Sequence, residues 1–107
     1  MNPAKVRRES VRRLTDLPNV GPATAADLRL LGIERPEQLV GRDPWAMYAQ
    51  LCRKTGVRHD PCVIDVFLSI VAFMDGGSAR PWWAFTAQRK AHAGAEALGL
   101  FRAVPAP

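Results

Sequence analysis

Three residues near the middle of the chain have the types and spacing to do chemistry. Cys52, His59 and Cys62 form a C-x6-H-x2-C string, a set zinc would accept. Structural zinc, however, takes four ligands at tighter, paired spacing, and the other histidine, His92, lies far along the chain. No metal and no cofactor is expected, and both cysteines read as small core hydrophobes. If Cys62 opens a helix, its thiol pKa is expected to be lowered toward a reactive thiolate. Asp65 sits in an otherwise apolar run. It either faces solvent or accepts from a nearby capping group, or else pairs with an arginine or His59 at a cleft. There is no nucleotide-type Gly-rich loop, no pair of catalytic carboxylates, and no Ser/His/Asp set that sequence alone would join. An enzyme is not expected.

The stretch around which the chain is organised is Leu17-Pro18-Asn19-Val20-Gly21-Pro22-Ala23-Thr24-Ala25. Pro18 and Gly21 are turn residues, and Asn tolerates positive φ better than other side chains. Pro22 is pre-set for the first position of a helix, and apolar Val20 can plug into the core. The spacing resembles the turn of a helix-hairpin-helix motif, which grips a nucleic-acid phosphate without reading bases. Free N–H groups of Gly21, Ala23 and Thr24 at the start of the second helix would favour an anion. Two positions depart from the motif. Asn19 replaces a glycine, and Ala23 stands where a phosphate-binding Lys or Arg is common, with Arg29 two turns away as a partial substitute. The competing reading is a turn that merely joins two packed helices. Gly21 is expected to need positive φ.

A chain of 107 residues with 48% hydrophobic and 23% charged content is one soluble domain with one modest core. A net charge of +5 invites an acidic partner. Its distribution complicates that: residues 1–13 carry +4, 14–51 carry −2 and 52–107 carry +3. The hairpin region is thus the least basic. Cys62 to Met74 is too short to span a bilayer and nothing at the N-terminus resembles a signal peptide, so a cytoplasmic protein with reduced cysteines is expected.

Asn2-Pro3 signals a helix start, and Val6, Val11 and Leu14 give a helical face down to about Asp16. Arg7, Arg8 and Arg12 would lie on its other side, along a phosphate backbone or simply in solvent. A second helix runs from Pro22 to Leu31 and stops at Gly32. A short helix from about Pro36 to Val40 follows, then one from Asp43-Pro44 to about Lys54. The helix from Pro61 to about Asp75 is apolar nearly all round and so central, with Asp65 and Ser69 as its single polar strip. Its many apolar faces suggest a homodimer. Trp82, Trp83 and Phe85 are expected to close the core with at least one Trp buried, or to offer a base-stacking or partner surface beside Arg89 and Lys90. The segment enters a last helix through Arg89-Lys90, and residues 91–107 form an Ala/Gly/Pro-rich tail, at most partly ordered.

The linked pattern is broader than the hairpin. It includes Leu31-Gly32-Ile33, Asp43-Pro44 with Tyr48 and Leu51-Cys52, His59-Asp60-Pro61-Cys62 with Asp65-Val66-Phe67, then Pro81-Trp82-Trp83 and Arg89-Lys90. Across residues 14–90 it resembles the pathogenicity-locus family of small bacterial helix-hairpin-helix proteins, some labelled mitomycin resistance protein. More distantly it is similar to the C-terminal domain of the competence regulator TfoX. The resemblance implies an all-α, SAM/HhH-like single domain at residues 1–90, with five or six helices, a nucleic-acid link and no established catalysis. The expected function is non-sequence-specific DNA binding through Asn19, Val20, Gly21, Ala23, Thr24, Arg7, Arg8 and Arg12. The alternative is a protein-interaction adaptor whose hairpin is only structural.

Overall fold

The computed structural model describes the backbone of residues 5–97 and the side chains as far as His92. Among the described residues the fold is all-α, with four α-helices: α1 (Pro22–Leu30), α2 (Pro44–Thr55), α3 (Cys62–Met74) and α4 (Thr86–Ala97). Four 3-10 turns, at Arg8–Ser10, Leu14–Asp16, Pro36–Leu39 and Trp82–Phe85, connect or precede them.

The expected first helix is absent over the described residues. Arg7, Val11 and Arg13 are extended, which leaves two separate 3-10 turns. The physical reason is a competing local bond: Asp16 Oδ2 accepts the N–H groups of Arg12 at 3.0 Å and Arg13 at 2.8 Å. Arg13's N–H foremost, then Arg12's, holds the Asp16 carboxyl below its usual range. The short element at Pro36 is likewise a 3-10 turn, fixed by Gln38 Oε1 accepting from Glu34 and Arg35. The count of five or six helices falls to four, and the hairpin's leading arm is a 3-10 turn.

At Asp43-Pro44 and Asp60-Pro61 the helices form as expected. Asp43 Oδ1 accepts from Trp45 N–H at 2.9 Å and Pro44 occupies the first turn of α2, which closes on left-handed Gly56 at φ 73°. Asp60 Oδ1 accepts from Cys62 N–H at 2.8 Å to open α3. Its sequence is that of a central helix, and central it is. Phe67 and Ile70 are fully buried, and α2, α4 and the turns at 36–39 and 82–85 all pack on it. No residue of α3 is exposed, with Val63, Val66 and Met74 half-buried along it.

The C-terminal end of α3 is tied down by other segments. At its C-terminus the Arg8 guanidinium donates to the carbonyls of Phe73 and Gly77 and lies 4.2 Å over the Phe73 ring. A cation belongs there, against the negative end of the helix dipole. Gly77 allows this closure, because a Cβ at that position would stand 2.8 Å from the Ala72 carbonyl oxygen. Asp75 Oδ1 accepts from Gly41 N–H at 2.9 Å.

The organising turn is fixed to the same helix. Asn19 has φ 66°, the left-handed conformation its type tolerates. Its Nδ2 donates to Ser69 Oγ at 3.1 Å and to the Arg80 carbonyl at 2.8 Å. Asn19→Ala is expected to cost about 1–3 kcal/mol, seen as a lower urea midpoint. Asn19→Gly, which restores the backbone freedom without the bonds, should recover only part of that; full recovery would mean the two side-chain bonds contribute nothing.

Candidate functional site

The turn at residues 17–25 stays together as one unit. Leu17, Pro18 and Val20 are buried, so Val20 is the core plug that its position suggested. Asn19 faces inward to Ser69 and Arg80, which makes it a positioning residue for the turn. Gly21 corrects the expectation about its backbone: φ −99° and ψ −174° are extended, and the left-handed residue is Asn19. An added Cβ on Gly21 would meet nothing within 4 Å. Pro22 and Ala23 are exposed and Thr24 is half-buried. Among the described residues no side chain caps the N-terminus of α1, which leaves the N–H groups of Ala23 and Thr24 directed out of the first turn.

The arginines do not assemble as a basic face. Arg8 is committed to the end of α3, as described above. Arg12 Nη1 donates to the carbonyl of Glu9 at 2.8 Å. Arg7 alone of the three is exposed with its side chain unengaged among the described residues. The expected basic helix is therefore replaced by turns on which Arg8 and Arg12 hold backbone and Arg7 is unengaged among the described residues.

The Cys/His string is also taken apart. Cys52 is buried in the core. His59 Nε2 lies 2.8 Å from Thr55 Oγ1, and the His59 carbonyl accepts from the Tyr48 hydroxyl. Cys62 corrects the reactive-thiol expectation, because its pKa is raised rather than lowered. A hydrogen bond with Asp60 contributes most and burial adds to it, outweighing its place at a helix N-terminus. The same contact, chiefly through Cys62 N–H, holds Asp60 below the usual carboxylate range. Among the described residues no group of three His, Cys, Asp or Glu side chains is placed to hold a metal ion.

Asp65 takes the paired reading, with Arg89 as its partner. It is wholly buried. Its Oδ1 accepts from Arg89 Nε at 2.7 Å and its Oδ2 from Thr86 Oγ1 at 2.8 Å. Thr86 and Arg89 were not singled out for this role from sequence. The available signal was their three-residue spacing, which puts both on one face of a helix.

The tryptophans depart from the expected burial. Trp83 is 62% exposed and meets Trp82 edge-on at 5.6 Å between centroids, while Trp82 is half-buried and only Phe85 of this segment is buried. Trp45 is half-buried and stacks on His92 at 3.6 Å. That stack joins α2 to a residue beyond residue 90, on the helix that continues to Ala97. The rest of the expected tail, residues 98–107, lies outside the described residues.

A family model described as "Pathogenicity locus" matches residues 7–91. The chain belongs to the pathogenicity-locus family. The match reaches back to the Arg7-Arg8 segment and so takes in every tie made to α3. Mitomycin resistance protein McrB of Streptomyces lavendulae is 42% identical over 77 residues, 72% of this chain and 73% of that protein. No solved structure matches the chain. No helix among the described residues is long and apolar enough to cross a membrane.

Two outcomes follow for this pathogenicity-locus protein. Arg89→Met leaves a buried carboxylate with Thr86 alone and should cost roughly 3 kcal/mol. Adding Asp65→Leu should restore much of that loss in a thermal melt; no recovery would show that the packing of α4, not the charge, was lost. Burial, then Cys52, pushes the Tyr48 phenol up to about 12. Between pH of about 10, where an unfolded tyrosine ionises, and about 12, the folded state keeps a proton that the unfolded chain has lost. Stability present below pH 10 is therefore lost as pH rises through that window, and Tyr48→Phe should flatten the loss. The chain has a single tyrosine, so phenolate absorbance reads this directly, and a native midpoint near 10 would refute it.

Proposed function

We propose that the protein binds nucleic acid, DNA in the first place, through the phosphate backbone and without reading sequence, and that it does so in the cytoplasm as a non-catalytic protein. The observation that carries this reading is the bare N-terminus of α1. It begins at a glycine with open space around it, has no side-chain cap, and is held by Asn19 against α3. Outward N–H groups on a fixed helix start suit an anion. Gly21, Ala23 and Thr24 are the contact residues, Asn19 and Val20 hold the turn in shape, and Arg7 is the available basic side chain. Arg8 and Arg12 act on the fold instead.

Without a cation at Ala23 the contact is weak. Affinity should lie in the range of non-specific binding, roughly 10⁻⁴ to 10⁻⁶ M at physiological salt, and should tighten as salt falls and fewer counterions compete.

Two variants separate binding from folding. Ala23→Lys adds one phosphate contact and should strengthen DNA binding and steepen its salt dependence by about one unit of slope. Gly21→Asp places a preferred cap on the helix and a negative charge on the anion site. It should keep or raise the melting temperature while abolishing binding. Titration of both against wild type at two salt concentrations decides the question. If wild type binds no nucleic acid even at low salt, the hairpin is architecture. The exposed Leu30, Val40 and Val57 side chains then favour a protein-interaction module.

A further inference from the structure

Trp83 is the most exposed of the large apolar side chains among the described residues. A tryptophan left in water has lost the burial its ring would otherwise gain. The half-buried Trp82 meets it in a T-shaped contact, with the two planes 83° apart, and so steadies an indole that is mostly in solvent. The surroundings are selective as well. From Gly76 to Ala95 the chain has no acidic residue, while Arg80, Arg89, Lys90 and His92 lie within that run. Arg89 is spent on Asp65, but the Arg80 and Lys90 side chains are exposed. The charge of this segment is complementary to a polyanion.

The segment is also joined to the turn that precedes α1. Asn19 Nδ2 donates to the Arg80 carbonyl at 2.8 Å, and Trp83 is three residues further on. With 3.8 Å between successive Cα atoms, Trp83 stands within about 11 Å of Arg80. One side chain therefore fixes the open helix start and the open indole relative to each other.

We propose that Trp83 stacks on an unpaired base of a nucleic-acid strand whose phosphate is held at the N-terminus of α1, so that the ligand is single-stranded. This rests on the phosphate-binding reading above and adds the strand form to it. Stacking tolerates any base, because every base has a π-face, so the recognition remains independent of sequence. In a duplex the same base faces are already stacked on their neighbours and closed to the indole. Arg80 and Lys90, exposed in the same segment, meet the backbone of the same strand.

The test titrates wild type, Trp83→Ala, Trp83→Phe and Gly21→Asp with three fluorescently labelled probes. These are a short single-stranded DNA of mixed sequence, its RNA equivalent, and the DNA paired with its complement. Wild type should bind the single strands more tightly than the duplex, with quenching of tryptophan fluorescence. Trp83→Ala should lose roughly 5-fold or more on single strands and little on duplex, and Trp83→Phe should keep most of the affinity. The two single-stranded arms show whether deoxyribose or ribose is preferred. Because Trp83 is exposed, its variants should melt with wild type. If Trp83→Ala binds single strands as well as wild type, or wild type prefers duplex while Gly21→Asp abolishes binding, the stacking proposal fails and the phosphate reading stands. If wild type binds none of the probes at low salt, both fail together.

Discussion

A carboxylate with no contact with water must be matched from within the fold, and Asp65 sets that requirement at the centre of this one. Arg89 and Thr86 meet it from α4. One turn further along α3, Ser69 accepts from Asn19 and in turn donates to the Val66 carbonyl at 2.6 Å. The two polar residues of the most apolar helix thus form a rail to which α4 and the turn before α1 are referenced. Apolar packing alone fixes distances loosely, since cores tolerate substitution of volume and shape. Directional bonds at Asp65 and Ser69 add register. An unpaired partner on this rail would be costly, which favours one arrangement of the surrounding elements over its neighbours.

The charge of the chain reads differently once its arginines are placed. Arg8 holds the carbonyls that end α3, Arg12 holds a local carbonyl, and Arg89 neutralises a buried carboxylate. The formal excess of +5 already counts Asp65 against Arg89, and the carbonyl bonds of Arg8 and Arg12 leave their charges in place while fixing where they sit. What remains outward is distributed over the chain, with Arg7 and Arg13 before α1, Arg29 on it, Arg53, Lys54 and Arg58 around the end of α2, and Arg80 and Lys90 in the segment that carries Trp83. Backbone dipoles at the start of α1 supply positive potential where side-chain cations are missing. A weak, salt-sensitive association suits such a surface better than tight capture.

The central and second helices were legible because their signals are local and redundant. Asp43-Pro44 and Asp60-Pro61 cap and open, Gly56 closes, and the apolar girth of α3 requires burial. The left-handed turn residue was legible at Asn19, since few other side chains accept that conformation, but not the extended backbone at Gly21. Glycine is compatible with either. The N-terminal segment misled for a physical reason. Val6, Val11 and Leu14 carry helical spacing, yet an isolated helix of about that length is marginal in water. Asp16 offered the backbone a better local arrangement, and Arg8 gains more at the end of α3 than on a solvated helix face. Cys62 followed the same logic: a nearby carboxylate, invisible as a contact until the chain is folded, outweighs the helix terminus. Pairing of Asp65 with Arg89 joins residues 24 apart, a separation over which sequence periodicity carries no information.

The clamp made by Arg8 also has a consequence in time. Its acceptors lie 65 and 69 residues downstream, so a side chain made early must wait for partners made late. At ribosomal speeds of about 5–20 residues per second, that interval is roughly 3–14 s. Through it the first turns have no fixed address, while α2 can already close on Asp43 and Gly56. The guanidinium then acts as a final latch, engaging only after α3 is complete and its C-terminal carbonyls have emerged. Assembly of the N-terminal segment is thereby made a late event, coupled to the integrity of the helix on which everything else rests.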